Sequence, residues 1–325
     1  MKNASTNDSL PGLHHVTAIT GDAQRNLDFY TGTLGLRLIK LTVNFDDPGA
    51  YHLYYGDSLG NPGTVMTFFA WPGVPPGRSG AGQTTATAFA IPRQSLDFWR
   101  ARLATEGVAF TEPAARFGDA MLSFTDPDGL TLELVAADDA RPDWTAGGPV
   151  PATHNIRGFH GVTLTLRDRA ATDDLLTGLL GFSTMGEMDE PGGAAARVRY
   201  AASDAPGAFV DILTRPEMPP GQTAVGTVHH IAWRTPDDAA QLAWRGQLDA
   251  AGYQVTPVQD RSYFHSIYFR TPGGVLFEIA TDTPGFTMDE TPASLGTALK
   301  LPPQYEAYRV QLERALPPLR LPETK

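Results

Sequence analysis

The sequence lacks several features that would point to particular chemistries. It has no cysteine among its 325 residues, which excludes disulfides, thiolate nucleophiles, iron–sulfur clusters and cysteine-ligated zinc. Any metal ion must therefore be bound by His, Asp or Glu. Basic residues are fewer than acidic ones, 25 against 36, which gives a net charge of −11. A chain with this charge lacks the cationic face that nucleic acid or an anionic membrane requires.

Long apolar runs are also missing. The sequence contains no stretch of about 18 apolar residues, the length needed to span a bilayer. Its first ten residues, MKNASTNDSL, lack the apolar segment of a signal peptide. We therefore expect a cytoplasmic protein without a membrane or nucleic-acid partner. The sequence leaves the oligomeric state open, a homo-oligomer included.

Four segments share one alternating pattern of apolar and polar residues, which is typical of a strand with one buried face. They begin at Leu13, Thr85, Phe159 and Val228 and read LHHVTAIT, TATAFAIP, FHGVTLTL and VHHIAWRT. Each is followed by a helix-like stretch that ends near a glycine, and then by two or three further strands. The repeats predict an α+β fold of four βαβββ modules, with a helical tail over the segment QYEAYRVQLERAL.

A linker is predicted between the second and third modules. Residues 138–155 are rich in proline and glycine and show no periodic pattern. The chain length suits two domains, at about 150 residues for each. We therefore predict an N-terminal domain over residues 1–145 with two modules, and a C-terminal domain over residues 146–325 with two modules and the tail.

Side chains alternate between the two faces of a strand, and in modules one and four this alternation separates a bulky apolar face from a polar face. The polar faces carry His15, Thr17, His230, Tyr268 and Glu278. The positions equivalent to the two histidines and the glutamate in modules two and three hold a set without imidazole: Thr87, Gly161, Glu133 and Asp211. Pairing modules one and four therefore collects two imidazoles and one carboxylate in one cavity.

This donor set is typical of a metal site. Two histidines and one carboxylate bind the ion of non-haem Fe(II) oxygenases, where up to three open positions remain for an oxidisable substrate and O₂. Zinc accepts the same ligands, so the donor set does not choose the metal. A buried Glu278 carboxylate also needs a cationic partner, because an unpaired buried charge is costly.

Most of the chain resembles a known family. The segments from Leu13 to Asp57, from His229 to Asp238 and from Asp260 to Phe286 resemble the hydroquinone ring-cleaving dioxygenases of the vicinal oxygen chelate superfamily, which also includes glyoxalase I and bleomycin resistance proteins. The resemblance implies that the modules pair into two half-barrels. It also implies a small hydroquinone-like aromatic substrate and O₂ as the partners.

The resemblance further implies residue roles. Fe(II), with Mn(II) or Zn(II) as alternatives, would be bound by His15, His230 and Glu278. The residues that match further catalytic positions of the family are His14, Thr17, His229, Arg261 and Tyr268. In an ideal strand the alternation turns His14 and His229 away from the metal.

Three other functions fit parts of the sequence. A glyoxalase-like isomerase or lyase would need a further metal ligand where Thr67 stands. A catechol extradiol dioxygenase usually takes its three ligands from the second half, whereas His15 lies in the first. A module that binds an aromatic drug would lack the donor set. His52 and His265 lie near the family motifs, and we interpret both as ordinary, partly buried histidines.

Overall fold

The computed structural model describes residues 10–145, 147–190 and 195–322. The first nine residues, to which the signal-peptide interpretation applies, lie outside this part of the chain. Within it, all four βαβββ modules are present, and the predicted α+β fold is confirmed.

Modules one and two follow the predicted order of elements. Module one contains β1 (Leu13–Thr20), α1 (Ala23–Leu27), β2 (Arg37–Val43), β3 (Tyr51–Gly56) and β4 (Val65–Ala70). Helix α1 begins where the Asp22 carboxylate accepts the backbone N–H of Arg25, and it continues as a π-helical turn over Asp28–Thr33. Module two contains β5 (Gln83–Pro92), α2 (Leu96–Thr105), β6 (Phe110–Thr111), β7 (Ala120–Thr125) and β8 (Thr131–Ala137).

Modules three and four repeat this order. Module three contains β9 (Gly158–Leu166), α3 (Ala170–Asp174), β10 (Ser183–Asp189), β11 (Ala196–Ala201) and β12 (Phe209–Thr214). Module four contains β13 (Val228–Thr235), α4 (Asp238–Ala250), β14 (Gln259–Asp260), β15 (Phe264–Arg270) and β16 (Leu276–Pro284). The predicted helical tail is a 3₁₀ segment over Pro303–Tyr308 followed by α5 (Arg309–Ala315).

The strands form two eight-stranded sheets, and each sheet takes one module from each half of the chain. Sheet one joins modules four and one in the order β14-β15-β16-β13-β1-β4-β3-β2. Sheet two joins modules three and two in the order β10-β11-β12-β9-β5-β8-β7-β6. Strands β1 and β13 pair antiparallel at the centre of sheet one, so the first strands of modules one and four are neighbours. The division of the chain near residue 145 stays a prediction.

The apolar faces of the strands form the core. Val16 of β1 and Trp233 of β13 are fully buried, as the alternation predicts, and Trp99 and Trp244 of helices α2 and α4 are also buried. Burying a large apolar side chain contributes about 1.5–3 kcal/mol. The helices therefore cover the apolar faces, and the polar faces are left to line cavities.

A buried carboxylate ties module one to module two. Asp126, in the turn between β7 and β8, accepts hydrogen bonds from the backbone N–H groups of Asp128 and Leu130 and from the Tyr30 hydroxyl. Burial raises the pKa of Asp126 to about 6, with a smaller contribution from the Asp128 charge. Because the pKa is higher in the folded than in the unfolded state, the native protein is destabilised as the pH rises from about 4 to about 6.

We expect the substitution Asp126→Asn to stabilise the protein at pH 7 and not at pH 4. The amide keeps an oxygen for the two backbone donors and removes the buried charge, with an expected gain of about 1 kcal/mol at pH 7. Urea unfolding of both proteins at the two pH values measures this difference. A variant that is less stable than the parent by the same amount at pH 4 and pH 7 would contradict the expectation.

Candidate metal centre

Three side chains of sheet one converge on one point. The His15 Nε2 and His230 Nε2 atoms lie 3.3 Å apart, and Glu278 Oε2 lies 3.4 Å from the first and 2.9 Å from the second. All three residues are buried. They form the one cluster of three or more His, Asp or Glu donors with metal-site spacing in the described part of the chain. The structure thus brings together the three residues predicted to bind a metal.

The sheet topology explains this convergence. His15 lies on β1 and His230 on the neighbouring β13, with Thr17 of β1 opposite His230. Glu278 lies on β16, which pairs with β13 so that Glu278 faces Ala232. The three donors come from adjacent strands at the centre of the sheet, where the backbone hydrogen bonds fix their positions.

The donor atoms fit a divalent cation. One carboxylate oxygen of Glu278, Oε1, accepts a hydrogen bond of 2.5 Å from the Ser266 hydroxyl. The other, Oε2, is buried and has no donor with hydrogen-bond geometry in the described residues, although two imidazole nitrogens lie close to it. Burial alone would raise the pKa of Glu278, but the His15 and His230 imidazoles outweigh it and hold this pKa well below its usual value. The site therefore offers a carboxylate and two imidazole nitrogens to a cation.

The neighbouring histidines, His14 and His229, occupy β-bulges. Pairing of β1 with β13 skips His14 between Leu13 and His15, and it skips His229 between Val228 and His230. In a β-bulge, one strand has an extra residue that is not paired with the neighbouring strand, and the side chain of this residue points in a different direction. This is why both side chains escape the strict alternation of an ideal strand.

Each bulge histidine holds the histidine that follows it. His14 Nδ1 lies 2.9 Å from His15 Nδ1, and His229 Nδ1 lies 2.8 Å from His230 Nδ1. Burial lowers the pKa of His14 well below its usual value and that of His229 to about 3, so both imidazoles are neutral at pH 7. When His15 and His230 carry their hydrogen on Nδ1, the neutral imidazoles of His14 and His229 accept it, and the Nε2 lone pairs of His15 and His230 are left for a metal.

A cavity of about 530 Å³ opens beside the three donors. Phe69, Trp71 and Phe264 form an aromatic wall. The rings of Phe69 and Trp71 are nearly parallel, and their centroids lie 5.9 Å apart. The His229 ring packs edge-to-face against Phe69, with a distance of 5.4 Å between the ring centroids. The cavity is large and flat-walled enough to hold an aromatic ring against these side chains.

Arg261 and Tyr268 form the polar side of the cavity. Arg261 Nε donates to the Tyr268 hydroxyl oxygen at 3.2 Å, and its Nη1 lies 3.2 Å from the carboxylate of Asp46 on the loop between β2 and β3. Burial and the Glu278 charge raise the pKa of Tyr268, although Arg261 opposes them. Tyr268 is therefore a neutral phenol at pH 7, and its hydroxyl keeps one hydrogen of its own that it can donate.

The other predicted residues divide into two groups. Thr17, His229, Arg261 and Tyr268 line the cavity, whereas His14 packs behind His15. His52 also lines the cavity. His265 lies elsewhere, with its Nδ1 2.6 Å from the Asp238 carboxylate, and is partly exposed. The catalytic roles implied by the resemblance stay predictions.

Two sets of polar contacts in the site were not predicted from the sequence. Ser266, which orients Glu278, is two residues from Tyr268 on β15, so the strand alternation contains the signal for it. The second set is a hydrogen-bonded chain that includes His52, Tyr54 and Thr67. His52 and Tyr54 are two residues apart on β3 and therefore share one face of the strand. The alternation along one strand does not show which side chains meet across neighbouring strands.

The corresponding place in sheet two is filled by ion pairs. Arg199 binds Asp211 and Asp119, with N–O distances of 2.8 and 2.6 Å, and Arg116 binds Glu133 at 2.6 Å. The remaining cavity is about 10 Å³. The two carboxylates at the positions equivalent to Glu278 are thus paired with arginine.

A family model agrees with this architecture. The model of the Glyoxalase/Bleomycin resistance protein/Dioxygenase superfamily matches residues 12–134 and 158–279, which include His15, His230 and Glu278. The chain belongs to this superfamily. The resemblance stated from the sequence is thereby confirmed at the level of the superfamily.

Curated relatives narrow the comparison within the superfamily. MhqO of Bacillus subtilis (strain 168), a proposed ring-cleaving dioxygenase, is 46% identical over 313 residues, which cover 96% of this chain and 97% of MhqO. The chlorohydroquinone/hydroquinone 1,2-dioxygenase of Sphingobium indicum is 36% identical over 317 residues, which cover 95% of this chain and 97% of that protein. Both relatives match along almost their entire length.

Solved structures of superfamily proteins show the same fold. The crystal structure of a proposed dioxygenase from Bacillus subtilis subsp. subtilis str. 168 superposes with a TM-score of 0.90 at 46% identity and covers 97% of this chain and 99% of its own. Glyoxalase I from Zea mays superposes with a TM-score of 0.63 at 16% identity and covers 84% of this chain and 92% of its own, so it shares the fold.

In the described part of this chain, no helix has the length and apolarity to cross a membrane.

Proposed function

We propose that the protein is an Fe(II)-dependent dioxygenase that opens the ring of a small hydroquinone-like aromatic with O₂. The observation that carries the proposal is the donor set: two imidazoles and one carboxylate converge on one side of an aromatic-walled cavity. The relatives named as ring-cleaving dioxygenases, one of them a chlorohydroquinone/hydroquinone enzyme, support the substrate class. Three protein ligands leave room at an octahedral ion for further ligands.

His15, His230 and Glu278 would hold the metal, and bound Fe(II) would supply the redox chemistry by which O₂ reacts with an electron-rich ring. Phe69 and Trp71 present their rings to the same cavity as the metal ligands. An aromatic substrate that packs against them is oriented and shielded from water.

Polar groups of the cavity would orient the substrate oxygens. Arg261 carries a fixed positive charge at the wall, which favours a substrate hydroxyl in its deprotonated form. Because Arg261 donates to the Tyr268 oxygen, the Tyr268 hydrogen is available for a substrate oxygen. His229 accepts from His230 through Nδ1 in this proposal, so its Nε2 carries the hydrogen and is a second donor.

The proposal is tested by measuring O₂ uptake after anaerobic reconstitution with Fe(II). We expect uptake of one O₂ per substrate and loss of the aromatic absorbance with hydroquinone and chlorohydroquinone, and little uptake with catechol. Protein reconstituted with Zn(II) is the matched control and should consume no O₂, because zinc has no redox chemistry. Mn(II)-loaded protein tests the alternative redox metal in the same assay.

Two outcomes would replace the proposal with another function. Uptake with catechols and none with hydroquinones would indicate an extradiol enzyme. No uptake with any phenol, together with turnover of a glutathione hemithioacetal by the Zn(II) or Ni(II) protein, would indicate a glyoxalase-like isomerase.

A further inference from the structure

Four side chains of sheet one form a continuous hydrogen-bond chain. The Tyr54 hydroxyl lies 2.9 Å from His52 Nδ1, and His52 Nε2 lies 2.8 Å from Thr67 Oγ1. Thr67 Oγ1 in turn lies 2.8 Å from Thr17 Oγ1. The strand register builds this chain, because Thr67 of β4 is directly opposite Thr17 of β1 and Tyr54 of β3.

The chain can run in two directions, because each hydroxyl has one hydrogen and a neutral imidazole has one. In the forward direction Tyr54 donates to His52 Nδ1, His52 Nε2–H donates to Thr67, and Thr67 donates to Thr17. The hydrogen that remains unused is then that of Thr17. In the reverse direction Thr17 donates to Thr67, Thr67 donates to His52 Nε2, and His52 Nδ1–H donates to Tyr54. The unused hydrogen is then that of the Tyr54 phenol.

The chemistry of the two end groups favours the forward direction, because a phenol is a stronger hydrogen-bond donor and a weaker acceptor than an alkyl hydroxyl. Tyr54 and Thr17 are both buried and both line the cavity, so burial does not separate the two directions. The forward direction uses the Tyr54 hydrogen in the bond to His52 Nδ1 and leaves the unused hydrogen on Thr17, which lines the cavity two residues from His15. A ligand oxygen in the cavity can accept that hydrogen.

We propose that Tyr54, His52 and Thr67 are positioning residues that make the Thr17 hydroxyl a hydrogen-bond donor toward an oxygen of the bound substrate. The inference rests on the proposed function, because it assumes a substrate with a phenolic oxygen beside the metal ligands. Module four uses the equivalent strand position differently. There the pair corresponding to Thr17 and Thr67 is Ala232 and Glu278, and the second residue is a metal-ligand candidate.

The direction of the chain can be measured without substrate or iron. Nitrogen NMR of protein with ¹⁵N-labelled histidine, in the metal-free and Zn(II)-loaded forms, distinguishes the two tautomers of His52. We expect the Nε2–H tautomer in the parent protein, and a mixture of tautomers in Tyr54→Phe, which lacks the hydroxyl that selects one direction. The His52 signals are assigned with a His52→Gln variant. A parent protein with the Nδ1–H tautomer would overturn the inference.

The effect on catalysis is measured with a variant that keeps the shape of the chain. Thr67→Val removes the hydroxyl that donates to Thr17, and we expect kcat on hydroquinone to fall about tenfold with KM within a factor of two. Thr67→Ser should restore kcat to within a factor of two of the parent. Thr42→Val is the control, since Thr42 is a buried threonine on β2 whose hydroxyl has no partner among the described residues.

Metal content and melting temperature separate positioning from structure. The inference requires that Thr67→Val binds as much Fe(II) as the parent and that Thr42→Val keeps the parental kcat. A Thr67→Val protein with parental kcat, or one whose activity falls in proportion to lost metal, would overturn it. If the parent itself does not turn over any hydroquinone, the proposed function fails, and the His52 tautomer still decides the direction of the chain.

Discussion

Replacing Glu278 with Gln is expected to abolish metal binding and O₂ uptake. The substitution keeps the size of the side chain and its contact with Ser266, but it removes the negative charge from the buried Oε2 position that faces both imidazoles. Removing a residue that hydrogen-bonds to a metal ligand typically lowers the metal affinity by about 10–100-fold. Removing the charge of a ligand itself should lower the affinity more. Metal analysis after dialysis and titration with Fe(II) measure the change.

Thermal unfolding provides a second measurement. A metal that binds the native state stabilises it by about 2.7 kcal/mol when the free metal concentration is a hundred times Kd. This stabilisation raises the melting temperature. We expect Fe(II) or Zn(II) to raise the melting temperature of the parent and to leave that of Glu278→Gln unchanged. Glu133→Gln is the matched control, because Glu133 lies at the equivalent position of module two and pairs with Arg116. Full metal retention by Glu278→Gln would refute the assignment of the ligands.

The second large effect is expected in sheet two, from Arg199→Leu. Arg199 is buried and binds the carboxylates of Asp211 and Asp119, and its guanidinium lies 4.4 Å from the centre of the Phe117 ring. Breaking a buried ion pair costs about 3–5 kcal/mol, and we expect the lower end of this range, about 3 kcal/mol, because Asp211 keeps its contact with Arg197 and Asp119 its contact with His160. We expect a loss of this size in the free energy of unfolding, measured by urea denaturation.

Two further variants test the cause of this loss. Adding Asp211→Asn to Arg199→Leu should recover part of the stability, because it removes a buried carboxylate left with Arg197, which also pairs with Glu190. Arg100→Leu, which removes exposed ion pairs of helix α2, should leave the stability close to that of the parent. Below the unfolding transition, metal content per folded chain should be parental in Arg199→Leu. A loss of stability under about 1 kcal/mol would contradict the account of the network.

The sequence predicted the meeting of the three donor residues because two kinds of information agreed. The repeats identified equivalent strands, and the alternation along each strand identified which side chains share a face. His15, His230 and Glu278 satisfied both conditions, and modules two and three offered no imidazole at the same positions. The sheet topology then brought modules one and four together, although they lie at opposite ends of the chain.

The pairs His14–His15 and His229–His230 depart from the predicted alternation. Alternation places His14 and His229 on the opposite face from the metal, whereas the structure places their Nδ1 atoms against those of His15 and His230. The reason is a bulge at each residue, which depends on the pairing of β1 with β13. A bulge is a property of two strands in register and is not encoded in the alternation of either strand alone.

By itself the sequence determined the absence of cysteine chemistry, the four modules and the faces of their strands, because these follow from composition and from the period of two along a strand. The tertiary structure alone decided the strand order and register within each sheet, how Ser266 and the bulge histidines hold the donors, and that arginines fill the matching place in sheet two. Those features depend on contacts between residues that are far apart in the chain, where register and burial select one arrangement among many.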